Sequence, residues 1–168
     1  RLKIFLLCGS ILETNPHGPR PFNTSFLINP SGMIIGMYRK IHLFSVRMPN
    51  GTVINEKAAY SAGAGIVTAQ TPLGRLGFSI CYDLRFPELY RALVDRGATI
   101  ITVPSSFTFA TGKAHWEVLL RARAIENQVY IVAPNQYGKD LQGIRRYGHS
   151  MIIDPWGNIL ASQGDGNG

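Results

Sequence analysis

Short, apolar, β-rich segments recur along the chain, joined in some places by tight turns and in others by a helix, and this mixture restricts the fold more than any other feature. "NTSFLI" (23–28) and "MIIGMY" (33–38) flank "NPSG", a hairpin with turn residues where the chain must reverse. "GIVTAQ" (65–70), "PLG" and "RLGFSI" (75–80) form a second hairpin ending at Cys81. "FPELYRALVDRG" (86–97) has proline near its first turn, Glu88 early, Arg96 late and Gly97 just past the end, the start and stop signals of one helix. "ATIITVP" (98–104) follows as a strand. "HWEVLLRARAIENQ" (115–128) is a second helix, with Trp116, Leu119, Leu120, Ala124 and Gln128 along one side and Glu117 paired with Arg121. "KIFLLCGS" (3–10) reads as a buried strand, and "VYIVAPN", "HSMIIDP" and "NILAS" add three more strands. Antiparallel hairpins mixed with strand-helix-strand units imply a layered α/β domain with at least one sheet covered by helices.

With 168 residues and 45% hydrophobic content, the chain suits one globular domain with a substantial core. No internal repeat, low-complexity tract or linker divides it, so residues 1–168 read as a single domain. No stretch approaches the roughly 20 apolar residues needed to span a bilayer, and "RLKIFLLCGS" turns polar too soon for a signal peptide. A soluble, cytoplasmic protein without membrane partners is expected. The net charge of +7 comes from scattered basic residues, with no run longer than Arg145-Arg146 and no nucleic-acid-binding motif. Nucleic acid is therefore not an expected partner, whereas carboxylate-bearing small molecules would suit the same positive field. Two cysteines, Cys8 and Cys81, imply no disulfide framework and favour a reducing compartment. The chain opens on Arg1 inside a strand-like run and stops at "GDGNG" just after another, so it reads as cut at both ends.

In "FSICYDLRFPELYRAL" (78–93), an apolar strand runs into a helix with Cys81 at the junction. A side chain on such a turn faces the crevice where ligands bind in α/β folds, and the positive end of the following helix favours a thiolate. Buried cysteines also simply pack, and this context alone leaves both readings open. A thiol nucleophile needs a proton acceptor and donors for the oxyanion. His17 lies in a proline- and glycine-containing loop, and His149, beside a strand start, reads as structural. A histidine-assisted thiol hydrolase would need His115 or His149 beside Cys81. Lys40 ends an apolar strand, where a solvated lysine is the ordinary reading.

"YRKIHLF" (38–44), "CYDLRFPE" (81–88), "GKAHWEVLLRARAIENQVY" (112–130) and "YGHSMIIDPWG" (147–157) closely resemble, in this order and spacing, the carbon-nitrogen hydrolases of the nitrilase superfamily. The nearest branch is that of the Nit-type amidases, the ω-amidases and deaminated-glutathione amidases. The resemblance implies an αββα four-layer sandwich whose N-terminal part is missing here. It implies a site in which Cys81 attacks an amide carbonyl while Lys40 and the Tyr82 backbone N–H stabilise the oxyanion. Glu56, in "TVINEKAAYSAG", matches the family's second glutamate, which would orient Lys40 and assist proton transfer. From its position, one turn from Cys81, Arg85 is a candidate for gripping a substrate carboxylate, or for pairing with Glu88 or Asp83. Phe107, in "PSSF", and His115-Trp116 would shape the pocket, with Trp116 as readily core. The implied chemistry releases ammonia through a thioester and needs no metal or organic cofactor.

The family's main general-base glutamate lies upstream of the lysine, in a segment that this sequence would follow. Glu13, in "GSILETNP", matches a different, non-catalytic stretch. Removing such a base costs about 10²–10⁴-fold or more in rate. The absent segment would also expose sheet edges and apolar surface, so a homo-oligomer is expected. Two readings follow: an amidase acting on a small carboxylate-bearing amide, or a nitrilase-fold domain that only binds or oligomerises.

Overall fold

The computed structural model describes residues 3–47, 51, 53–141 and 143–164. The two ends read as cut, Arg1 and residues 165–168, lie outside the described residues. The chain divides into two compact units between Val67 and Thr68.

In the first unit, β1 (Leu6–Glu13), β2 (Phe22–Ile28) and β3 (Ile34–Arg39) form an antiparallel sheet in that order. The β2–β3 hairpin closes where "NPSG" requires it: Gly32 takes φ 86°, and its N–H donates to the Asn29 carbonyl. Contrary to expectation, β1 holds no buried residue. It is an edge strand, bulged between Cys8 and Ile11, and its apolar Leu6, Ile11 and Leu12 are exposed, as are Ile34 and Met37 of β3. Glu13 ends β1 as the ion-pair partner of Arg39 and accepts the Thr24 hydroxyl hydrogen at 2.6 Å. Beyond β3, β4 (Ser45–Arg47) and β5 (Val53–Asn55) pair antiparallel and lead into the single turn α1 (Glu56–Ala59).

The second unit is built on a six-stranded sheet of order β13-β12-β9-β8-β7-β6. The hairpin of β6 (Thr68–Thr71) and β7 (Gly74–Phe78) is followed by a 3-10 turn, Cys81–Arg85, and then by α2 (Pro87–Asp95). β8 (Ile100–Thr102) lies parallel to β7, and β9 (Tyr130–Ala133) parallel to β8, across the helical crossovers α2 and α3 (Phe109–Asn127). β12 (Met151–Ile153) and β13 (Ile159–Ser162) complete the sheet antiparallel. A two-stranded ribbon, β10 (Tyr137–Lys139) with β11 (Arg145–Tyr147), precedes β12 and was not expected from sequence.

The core of this unit gathers Phe78, Ile80, Leu93, Ile101, Trp116, Leu120, Ile131 and Ile153, all at most 1% exposed. Helix α3 starts earlier than the sequence pattern, capped by Thr108, whose side chain accepts from Thr111 N–H. Its buried stripe also differs: Gly112, Trp116, Leu120, Arg123, Ala124 and Asn127 are buried, whereas Leu119 is half-buried and Gln128 is exposed. Gln128 instead closes the helix in a left-handed cap at φ 55°. Gly112 is required because a Cβ there would overlap the Tyr147 side chain of β11. Trp116 is core, its Nε1 donating to the His149 carbonyl at 2.8 Å.

Candidate active site

The residues singled out from the sequence fall into two groups, one in each unit. In the first, Lys40 is 1% exposed and extends β3 by donating its backbone N–H to the Asn23 carbonyl at 2.8 Å. A buried ammonium needs a partner. Glu56 supplies it: Oε2 accepts from Lys40 Nζ at 2.6 Å and from the Phe44 N–H at 2.7 Å. The Asn55 side chain caps α1, and Glu56 N–H donates to the Phe44 carbonyl, so the backbone that carries the carboxylate is itself tied down. The Lys40 carbonyl accepts from Gly63 N–H at 2.9 Å, an approach that only glycine permits because a Cβ would collide with the Arg39 carbonyl. Lys40 is therefore no solvated strand end.

In the second group, Cys81 stands where the sequence pattern puts it, after β7 and at the head of the 3-10 turn. Its backbone has φ 50°, left-handed, at a cost of roughly 1–2 kcal/mol for a residue with a Cβ. Among the described residues, only Gln128 and His149 share this feature without being glycine. Gln128 closes a helix, where such a conformation is routine, but Cys81 opens a turn. Its N–H donates to the Pro104 carbonyl at 3.0 Å, which ties it to the loop after β8. Helix α2 begins at Pro87, where the sequence signals put it, and the five-residue 3-10 turn stands between Cys81 and its N-terminal end.

The side chains around this turn converge. Arg85 Nη2 lies 3.2 Å from His115 Nδ1, an arrangement in which the ring nitrogen accepts. The same guanidinium lies 6.0 Å from the Tyr82 ring centroid and 5.9 Å from that of Phe107. Phe107 is buried and packs on Trp116 at 4.8 Å, while His115 is exposed on α3. The Phe107 N–H donates to Asn135 Oδ1, so the loop after β8 is held at the carboxyl ends of the parallel strands. His149 stacks on Tyr147, ring centroids 4.1 Å apart, with Nδ1 2.9 Å from the Tyr147 carbonyl.

Two roles in this region escaped the sequence reading, which named Asp83 only as an alternative partner for Arg85 and gave Arg123 none. Asp83 is wholly buried and accepts the Ile80 N–H at 2.8 Å, while its own N–H donates to the Ile80 carbonyl at 3.1 Å. An acidic residue three positions beyond a strand end is the sequence signal for such a cap. Arg123, 6% exposed, donates from Nε and Nη2 to the Leu84 carbonyl within the turn. An arginine falling on the apolar side of a helix was its signal. Burial pushes the Tyr90 phenol up from its usual value, partly opposed by its hydrogen bond to Ser79 Oγ at 3.0 Å. Among the described residues, no cluster of histidine, cysteine or carboxylate side chains is placed to hold a metal ion. Nor is any helix long and apolar enough to cross a membrane.

The cysteine turn thus lies at the end of a parallel strand, with a cationic and aromatic cluster beside it. Residues 1–167 match the carbon-nitrogen hydrolase family, and the chain belongs to that family. It is 49% identical to a deaminated glutathione amidase from Synechocystis over 98% of this chain and 62% of that protein. Among solved structures, the C. elegans NitFhit protein superposes with a TM-score of 0.90 at 44% identity, over 97% of this chain and 40% of that one. A Nesterenkonia amidase mutant, solved with the acetamide moiety of fluoroacetamide covalently added at its active-site cysteine, superposes at 0.81 with 29% identity, over 96% and 57% of the two chains. The fold is thus the nitrilase-type α/β fold, and the chain spans about three-fifths of the Synechocystis relative.

Proposed function

We propose that this chain carries the nucleophile and the oxyanion cation of an amidase that hydrolyses a small carboxylate-bearing amide, within one carbon-nitrogen hydrolase domain. The observation that carries the reading is the left-handed backbone of Cys81 at the strand end. A β-carbon in that conformation is disfavoured, and such strain persists at sites where a side chain must be aimed. In the proposed reaction the Cys81 sulfur attacks the amide carbonyl, and the resulting oxyanion is stabilised by the Lys40 ammonium and the Tyr82 N–H. The C–N bond breaks, the nitrogen takes a proton and leaves as ammonia, and a thioester remains. Water then attacks the thioester, releasing the carboxylate and restoring the thiol. Glu56 holds Lys40 and assists proton transfer; Arg85 and His115 bind the substrate carboxylate, with Phe107 as the apolar wall. The deaminated glutathione amidase and the cysteine adduct among the relatives support amide over nitrile chemistry. The principal general base is assigned to none of the residues described here. The chain acts as a homo-oligomer in the cytoplasm.

The reading is tested by ammonia release from a glutaramate-type ω-amide, with Cys81→Ala and Lys40→Met as controls. Turnover by the full-length protein that vanishes in Cys81→Ala and falls by about 10²-fold or more in Lys40→Met is expected. Turnover that survives Cys81→Ala overturns it. Tight binding of the amide without ammonia release in the full-length protein would favour a domain that only binds.

A further inference from the structure

A cysteine in left-handed backbone persists only where its surroundings over-determine it, and the turn that bears Cys81 is fixed from α3 by one buried guanidinium. Arg123 donates two hydrogen bonds to one oxygen, the Leu84 carbonyl, from Nε at 3.1 Å and Nη2 at 2.8 Å. The guanidinium is itself held. Nη1 donates to Glu126 Oε1 at 2.9 Å, and Cζ lies 5.4 Å from the Tyr90 ring centroid. Tyr90 in turn bonds Ser79, two residues before the cysteine, and Ser79 Oγ donates to the Thr102 carbonyl of β8 at 2.9 Å. One cation thus reaches the chain on both sides of Cys81: directly at Leu84 and through Tyr90 at Ser79. Burying an arginine at 6% exposure is costly unless it satisfies several partners, and its partners here are the groups that frame the turn.

We propose that Arg123 is a positioning residue for the Cys81 thiol, fixing the Cys81–Arg85 turn without touching substrate. The inference rests on the reading of Cys81 as nucleophile, but its test does not depend on turnover alone. In the full-length protein, Arg123→Lys keeps the charge and loses the two-pronged grip, and Glu126→Gln loosens the guanidinium while leaving both bonds to Leu84 possible. The readouts are the iodoacetamide alkylation rate of Cys81, resolved by peptide mass against Cys8 in the other unit, and kcat and KM separately. Arg123→Lys is expected to lower the Cys81-to-Cys8 alkylation ratio several-fold and kcat by roughly 10–100-fold, with KM within about twofold. Glu126→Gln is expected to move both readouts in the same direction by less. A folded Arg123→Lys with unchanged alkylation ratio and kcat overturns the proposal. So does a loss in which Cys8 and Cys81 change together, because that is general loosening. Activity that survives Cys81→Ala would sink the nucleophile reading instead, leaving the alkylation ratio to report on the turn.

Discussion

The two units hold their candidate site residues by different means. In the first, the side chain is held by charge: a lysine ammonium at 1% exposure is kept by one carboxylate. In the second, the side chain is aimed by backbone: Cys81 sits in a conformation that disfavours it, and buried hydrogen bonds from Asp83 and Arg123 maintain the turn. The first arrangement should fail when a charge is removed, and the second when the backbone is allowed to relax.

The largest effect should come from stranding the lysine. Glu56→Leu leaves a buried ammonium without its anion and is expected to destabilise by about 3–5 kcal/mol, read by denaturant titration. A loss below 1 kcal/mol would mean that the pair is not what holds Lys40. Next is Gly112→Ala in α3. In an exposed helix interior this change stabilises by about 1 kcal/mol, but here the added methyl meets the Tyr147 side chain at its Cβ and Cγ, close to the backbone. The expected sign is reversed, a loss of about 1–3 kcal/mol in thermal unfolding.

Smaller still is the strain itself. Cys81→Gly should be more stable than Cys81→Ala by about 1 kcal/mol, although glycine ordinarily costs stability. Equal or lower stability for the glycine variant would remove strain from the account of the second unit. The smallest effect concerns pH. The Arg39 hydrogen bond holds the Glu13 carboxyl below the usual glutamate value, against an opposing push from burial. With the folded-state value depressed, the stabilisation is present above the ordinary value and lost as pH falls through the lowered one. Below about pH 4.3 the wild type should therefore lose stability faster than Glu13→Gln, in acid titrations followed by circular dichroism. At the alkaline end, Tyr90 acts in the opposite sense: its raised folded value means that stability falls once pH passes about 10, where an exposed tyrosine ionises.

Much of this architecture was legible. The "NPSG" and "PLG" turns, the Pro87 start and Gly97 stop of α2, and the Cys81 junction carry strong local signals, and the structure has all of them. β10 and β11 were not legible because "YGK" and "RRY" are three-residue, largely polar strands whose pairing comes from the Asp140–Arg146 ion pair and the loop they close. The start of α3 was hidden because Gly112, a helix-breaking residue by propensity, is there to make room for Tyr147. β1 reads as a buried strand by composition, since hydrophobicity reports what a segment can bury and not what lies next to it. Lys40 and Glu56 could be named only through a family resemblance. Sixteen positions separate them, and no local rule pairs a strand-end lysine with a carboxylate across β4 and β5. Arg123 was passed over because an arginine on an apolar helix face reads as a register error until its acceptor, the Leu84 carbonyl, is seen.

The most direct measurement is peptide-resolved mass spectrometry of the full-length protein, acid-quenched during turnover of a glutaramate-type ω-amide. A thioester-linked acyl group on the peptide containing Cys81, absent from the Cys8 peptide and from Cys81→Ala, is the expected result. Ammonia release with the acyl group on Cys8, or undiminished in Cys81→Ala, would contradict the account.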